Sequence, residues 1–137
     1  MEAADKWLYE YALVRYVPDA DRGEFVNIGL IMMCKRRRWI KAEILLNPER
    51  IKTLFPLADL EALKCQVSLF ERTDVPEAGL PVEEKFRWLT AVKSAAIRVS
   101  PSHPGIFPLH EEDEGDPSFI LEGEFNRLFS KLVVQPQ

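Results

Sequence analysis

The chain has 137 residues, 47% hydrophobic, 10% aromatic and 29% charged, a composition that can build one buried core and excludes a disordered or fibrous chain. The formal net charge is -4, with five carboxylates packed into residues 111–116 and a basic cluster at Lys35, Arg36, Arg37, Arg38 and Lys41. A domain dedicated to duplex binding is usually basic overall, so bulk attraction to nucleic acid is not expected.

Residues 8–17 (LYEYALVRYV) are rich in aromatic and β-branched side chains and run into Pro18-Asp19, which predicts a strand ending in a turn. After a polar turn, residues 25–34 predict a second strand. Alternation puts Val26, Ile28, Leu30, Met32 and Cys34 on one face, and Phe25, Asn27, Gly29, Ile31 and Met33 on the other. Residues 35–38 are a short polar link to a third strand at 39–46, and strands two and three are expected to form an antiparallel hairpin.

Asn47-Pro48-Glu49 supplies an N-cap, a proline at the first helical position and an early acid, the opening of a short helix that stops near Pro56. Asp59 caps a second helix, in which Leu60, Leu63, Val67 and Phe70 recur at helical spacing. A third helix is predicted over 82–91 with Phe86 and Leu89 inward, and a short fourth strand over 95–100 with Arg98 and Ser100 on one face. Pro101, Pro104 and Pro108, with Gly105, predict an irregular segment. The acidic loop then leads into a last helix over 118–134, striped by Leu121, Phe125, Leu128, Phe129 and Leu132.

Strands first and helices later predict a single α+β domain over residues 1–137: an antiparallel sheet of three to four strands with helices packed on one face. The other face would then offer Phe25, Ile31, Met33 and Trp39 to solvent, a partner or a ligand. The longest apolar stretch, 28–34, is far below the roughly 20 residues that span a bilayer, so no membrane span is expected. The acidic start Met1-Glu2-Ala3-Ala4-Asp5 lacks the pattern of a secretory signal, and the protein is expected in the cytoplasm. Cys34 and Cys65 lie in apolar segments without CxxC spacing and are expected as buried free thiols.

Several chemistries lack their residues. Two histidines and two cysteines, widely spaced, set zinc aside, and no Walker A, GxSxG or GxGxxG pattern is present. The acidic run lacks the ligand spacing of an EF-hand and is expected to be a solvated loop. No metal or cofactor is expected. Ser102 and His103 are neighbours in extended chain, so they point to opposite sides and do not act as nucleophile and base for each other.

One constellation remains. Lys93, Ser94, Arg98, Ser100, Ser102, His103 and Gly105 bring cations, hydroxyls, an imidazole and a glycine into a short stretch suited to an anion or polar ligand. Arg15 and Asn27 extend this site if the fourth strand lies beside the first two. The bland reading is that the serines satisfy loop backbone and His103 caps a turn. The Lys35 to Arg38 link could contact phosphates, though charges at a hairpin tip also keep it soluble.

Tyr9-Glu10-Tyr11-Ala12-Leu13-Val14-Arg15, Val17-Pro18-Asp19, Arg22-Gly23-Glu24-Phe25-Val26-Asn27-Ile28-Gly29 and Phe86-Arg87-Trp88-Leu89-Thr90-Ala91 together resemble the bacterial family called domain of unknown function 3037. The resemblance runs from residue 8 to the last helix. Its matching positions are Arg15, Glu24, Asn27 and Gly29 in one block, and Trp88, Thr90, Ser94, His103 and Gly105 in another. It implies no assigned reaction. It does imply a partner, since members look to be encoded beside HipA-like kinases, in the manner of toxin-antitoxin systems. Val92-Lys93 stands where similar proteins read Pro-Arg, and Pro104 where they tend to have threonine. Lysine lacks the planar fork of arginine, and Arg98, where glutamine is usual, would compensate.

The expectation is a bacterial cytoplasmic accessory or interaction protein that binds a protein partner, a second copy of itself or a small anionic ligand, without catalysis. Its ligand-binding residues would be Arg15, Glu24, Asn27, Lys93, Ser94, Arg98, Ser102 and His103. The first alternative is an enzyme acting on a phosphate-containing or nucleotide substrate, with His103 as general acid or base. The second is RNA binding through Lys35, Arg36, Arg37 and Arg38.

Overall fold

Strand β1 (Lys6–Tyr16) is the axis of a five-stranded antiparallel sheet. A computed structural model describes residues 6–19, 21–68, 80–91, 96–108 and 117–134. On one side of β1 lies β2 (Val26–Cys34), and beyond it β3 (Trp39–Ile44). On its other side two short strands share its length: β4 (Ile97–Val99) pairs with Val14 to Tyr16, and β5 (His103–Pro108) with Lys6 to Tyr11. The α+β class read from the sequence is the class observed, and β2 and β3 form the expected hairpin, with Cys34 opposite Trp39.

The segment expected to be irregular is a strand. Pro104 and Pro108 are four residues apart, so they fall at the same phase of the ladder, and both ring nitrogens can face away from β1 on the open edge. Between β4 and β5 the register slips by one residue at Ser100, which is buried. Its backbone N–H donates to the Leu13 carbonyl at 2.9 Å, and its hydroxyl accepts from Leu13 N–H at 2.9 Å while donating to the Pro101 carbonyl. The serine thus repairs the ladder where the edge is interrupted.

Three helices follow the hairpin: α1 (Pro48–Leu54), α2 (Leu60–Val67) and α3 (Val82–Thr90). The caps read from the sequence are in place. Asn47 Oδ1 accepts from Arg50 N–H, and Asp59 Oδ1 from Ala62 N–H, both at 3.1 Å. Phe70 and the acidic run 111–116 lie outside the described residues. The last helix, α4 (Pro117–Phe129), passes into a π-helical turn at Ser130–Val134.

Helices pack on both faces of the sheet, not one. Ile51, Leu63, Val67, Phe86 and Leu89 of α1 to α3 cover one face, against Ala12, Val14, Ile28, Ile31 and Met33. Leu121, Phe125, Leu128 and Phe129 of α4 cover the other, against Leu13, Leu30, Met32 and Cys34. The reason is visible in β2, where every residue except Asn27 is buried: a strand covered on both sides reads as a continuous apolar run, not as an alternation. The apolar face expected to be half exposed is therefore closed. Ile31 and Met33 are buried under α1 to α3, and Trp39 packs edge-on to Phe125 at 6.4 Å. Phe25 alone of that set stays exposed. Cys34 is buried as expected, whereas Cys65 is exposed on α2.

Two polar ties fix α4 to the sheet. Lys41 Nζ reaches Glu122 at 2.6 Å from β3, and the Tyr9 hydroxyl donates to Glu124 from β1. Lys41, counted with the basic cluster in the sequence, is thus committed to the helix. Among the described residues, no helix is long and apolar enough to cross a membrane.

Candidate ligand-binding site

A bulge decides which side chains meet. The β1–β2 register runs from Glu10 opposite Met33 to Val14 opposite Gly29, then slips, so that Arg15 faces Asn27 and Ile28 is the extra residue. Above the slip, Leu30, Met32 and Cys34 face α4; below it, Ile28 and Val26 face α1 to α3, and Asn27 is turned toward the end of α4. The unbroken face expected for Val26, Ile28, Leu30, Met32 and Cys34 is divided between two cores for this reason. Gly29 makes the approach close, because a Cβ there would fall 2.3 Å from Ile44 Cδ1 and 2.9 Å from the Glu43 carbonyl oxygen.

The bulge sets up a row across three strands: Asn27 on β2, Arg15 on β1 and Arg98 on β4, each opposite its neighbour. Directly opposed residues share a face with Cβ atoms about 5 Å apart, and like charges so placed repel. The Arg15 guanidinium lies over the Phe25 ring at 4.3 Å. Its Nε is buried without a hydrogen-bond partner, and so is Asn27 Oδ1, the only two such side-chain atoms among the described residues. Asn27 Nδ2 is engaged, donating to the Leu132 carbonyl at 3.2 Å, and Arg50 Nη1 donates to the Val133 carbonyl at 2.9 Å. Both carbonyls belong to the π-helical turn, whose widened geometry frees backbone acceptors at the end of α4.

The remaining predicted site residues lie elsewhere. His103 is opposite Tyr11 and stacks on its ring at 5.2 Å, exposed, on the face that carries Arg15 but four positions further along β1, about 13 Å away. The buried Leu13 lies between them. Ser102 points the other way, donating to Glu10 at 2.8 Å. Glu24 sits in the β1–β2 turn, exposed, with Arg22 at 3.2 Å. Lys93 and Ser94 lie outside the described residues.

The sequence reading missed a polar cluster beneath His103. Tyr9, opposite Gly105, donates its hydroxyl to Glu124, which also takes a forked pair of hydrogen bonds from Arg127 at 2.7 and 2.9 Å. Arg127 holds the Glu124 carboxyl below its ordinary range, while burial and then Glu124 push the Tyr9 phenol well above its own. The Tyr9 hydroxyl and both Glu124 oxygens are engaged within the protein, which marks the cluster as a clamp on α4. The Glu-x-x-Arg spacing on the helix was the available signal; its partner Tyr9, 115 residues away, gave none.

The Lys35 to Arg38 turn is exposed at the tip of the β2–β3 hairpin, with Arg38 at a positive φ of 51°. Lys35, Arg38 and Lys85 border an open cleft of about 550 Å³, where Glu83 comes within 3.9 Å of Lys35. Among the described residues, no three His, Cys, Asp or Glu side chains gather in a way that could hold a metal ion.

Residues 11–115 match the family described as protein of unknown function (DUF3037). The chain belongs to this family. The matched span contains Arg15, Asn27, Arg98 and the bulge at Ile28, whereas α4 and the π-helical turn of this DUF3037 chain lie beyond it. No curated protein and no solved structure matches the chain.

Proposed function

We propose that this DUF3037 protein is a binding protein whose site is the Asn27, Arg15, Arg98 row, and that it takes an anionic group there from a protein partner or a small ligand. The observation that carries the reading is the buried Arg15 Nε without a partner, in register with a second arginine. A folded protein gains nothing from orphaning a buried donor, and such local defects concentrate where a ligand completes the structure. A carboxylate or phosphate oxygen would supply the acceptor that Arg15 lacks.

The partner implied by the family resemblance, a HipA-like kinase, is the first to try as carrier of that group. This reading places the protein in the bacterial cytoplasm, where its two free cysteines stay reduced. The enzyme reading has less support, because a substrate would have to span about 13 Å to touch both His103 and Arg15. RNA binding draws on the cleft at Lys35 and Arg38, where Glu83 offsets part of the charge.

The test is an NMR titration of the protein with acetate and with inorganic phosphate, following the Arg15 Nε–H resonance. A saturable shift at Arg15, absent from Arg15→Met, is the expected result. Resonances that stay fixed through millimolar additions of both ions would sink the reading.

A further inference from the structure

We infer that the chain forms a two-fold dimer in which Leu57 of each copy seats in the other copy's groove beside Tyr16. The groove holds about 360 Å³ and lies on the face of β1 opposite to Arg15. Tyr16 and Phe55, packed edge to face at 5.7 Å, are its least exposed aromatic lining, and the exposed Pro18 and Leu54 border it. Arg22 and Glu24, paired at 3.2 Å, stand at the rim. An apolar centre with a polar rim is the anatomy of a protein interface.

Two observations say what enters the groove. The first is an unfilled hydroxyl. Tyr16 is only 7% exposed, and its phenol oxygen has no hydrogen-bond partner among the described residues. That oxygen is not sealed off, since the unpartnered side-chain atoms without accessible surface there are Arg15 Nε and Asn27 Oδ1. Burial first, and then Asp59, push the phenol above its ordinary value, so it keeps a proton to donate to an incoming carbonyl oxygen. The second observation is that the turn bordering the groove presents such a carbonyl. Ala58 N–H donates to the Phe55 carbonyl at 3.0 Å, and Lys52 Nζ donates to the carbonyls of Pro56 and Ala58 at 3.2 and 2.8 Å. Between those two the Leu57 carbonyl is unengaged among the described residues, and its side chain is 98% exposed. The Lys52 strap holds this leucine out in advance, so little conformational entropy is lost when it docks.

Knob and groove belong to one patch, so a two-fold axis makes each contact twice and closes the assembly at two copies. The incoming leucine side chain packs against Leu54 and Phe55, and its carbonyl accepts from the Tyr16 hydroxyl. A foreign segment could fill the groove, but it would leave the exposed leucine beside it in water.

Sedimentation equilibrium of the intact chain is the first test. A monomer–dimer equilibrium with a dissociation constant below about 1 mM is expected, and a monomer throughout that range would overturn the inference. Leu57→Asp should remove the dimer and leave the thermal melt of the monomer in place, because the side chain lies outside the fold. A dimer that survives this change would overturn the inference by placing the contact elsewhere. Tyr16→Phe keeps the ring against Phe55 and is expected to weaken the dimer about tenfold or more, the loss of two symmetry-related hydrogen bonds. Undiminished association of that variant would overturn the seat at Tyr16. In a mixture of isotope-labelled and unlabelled chains, filtered NOEs should connect the Leu57 methyls of one copy to the Tyr16 ring of the other. Their absence from a sample that dimerises would overturn the inference as well.

Discussion

The Tyr9 ring lies across the backbone of Gly105, its partner on the neighbouring strand, in the space a side chain there would fill. A Cβ on Gly105 would fall 2.3 Å from Tyr9 Cζ and 2.6 Å from its hydroxyl oxygen. The ring cannot swing away cheaply, because it is buried and its hydroxyl is tied to Glu124 on α4. Gly105→Ala should therefore destabilise the fold by about 1–3 kcal/mol, the usual result of overpacking. Urea unfolding of the variant checks this, and Gly105→Ala combined with Tyr9→Ala should lose less than the sum of the two single changes.

Tyr9 also shapes the alkaline limit of stability. Its phenol is pushed well above the ordinary value of 10, first by burial and then by Glu124, so folding favours the neutral form. That contribution is whole below about pH 10 and is lost as the pH climbs from there toward the raised folded value. Tyr9→Phe should cost about 1 kcal/mol at neutral pH and flatten the decline above pH 10. Tyr16, raised by burial and by Asp59, should keep part of that slope in the variant. Urea midpoints at about pH 8 and pH 11 measure the difference.

Glu124 acts at the other end of the scale. Arg127 above all, with Tyr9 adding to it, holds its carboxyl below the ordinary 4.5 against the opposing effect of burial. Its stabilising contribution is present above about pH 4.5 and is lost as the pH falls through the depressed folded value. Glu124→Gln should lower the melting temperature at pH 7 and narrow the gap between melting temperatures at pH 7 and pH 3.

Arg15 should behave in the opposite way to a structural arginine. Arg15→Met keeps an apolar stem over Phe25 and removes a buried donor that has no partner. Stability should stay within about 1 kcal/mol of the parent or rise. Carboxylate binding should disappear. Thermal melts and the acetate titration, run on the same preparation, check the two halves together.

Local chemistry made part of this architecture legible. Asn47 and Asp59 cap α1 and α2 where their side chains were expected to, and Pro18 and the polar turn after it separate β1 from β2. The continuous apolar run 28–34 is the mark of a strand covered on both faces, although it was read as one covered face and one open. The strand at His103–Pro108 was hidden because prolines argue against strands in general and are admitted only at an edge, a position that no local pattern reveals. Arg15, Asn27 and Arg98 were named as candidates from their chemistry, but their alignment depended on the slip at Ile28.

The residues alone settled the class of fold, the order of its elements apart from β5, and the helix starts, since each follows from interactions between neighbours a few positions apart. Tertiary structure alone decided that α4 closes the second face, that one extra residue in β2 hands Asn27 to Arg15, and that Tyr9 finds Glu124. Those outcomes depend on register and burial, which are set by contacts between segments up to 115 residues apart and leave no periodic trace along the chain.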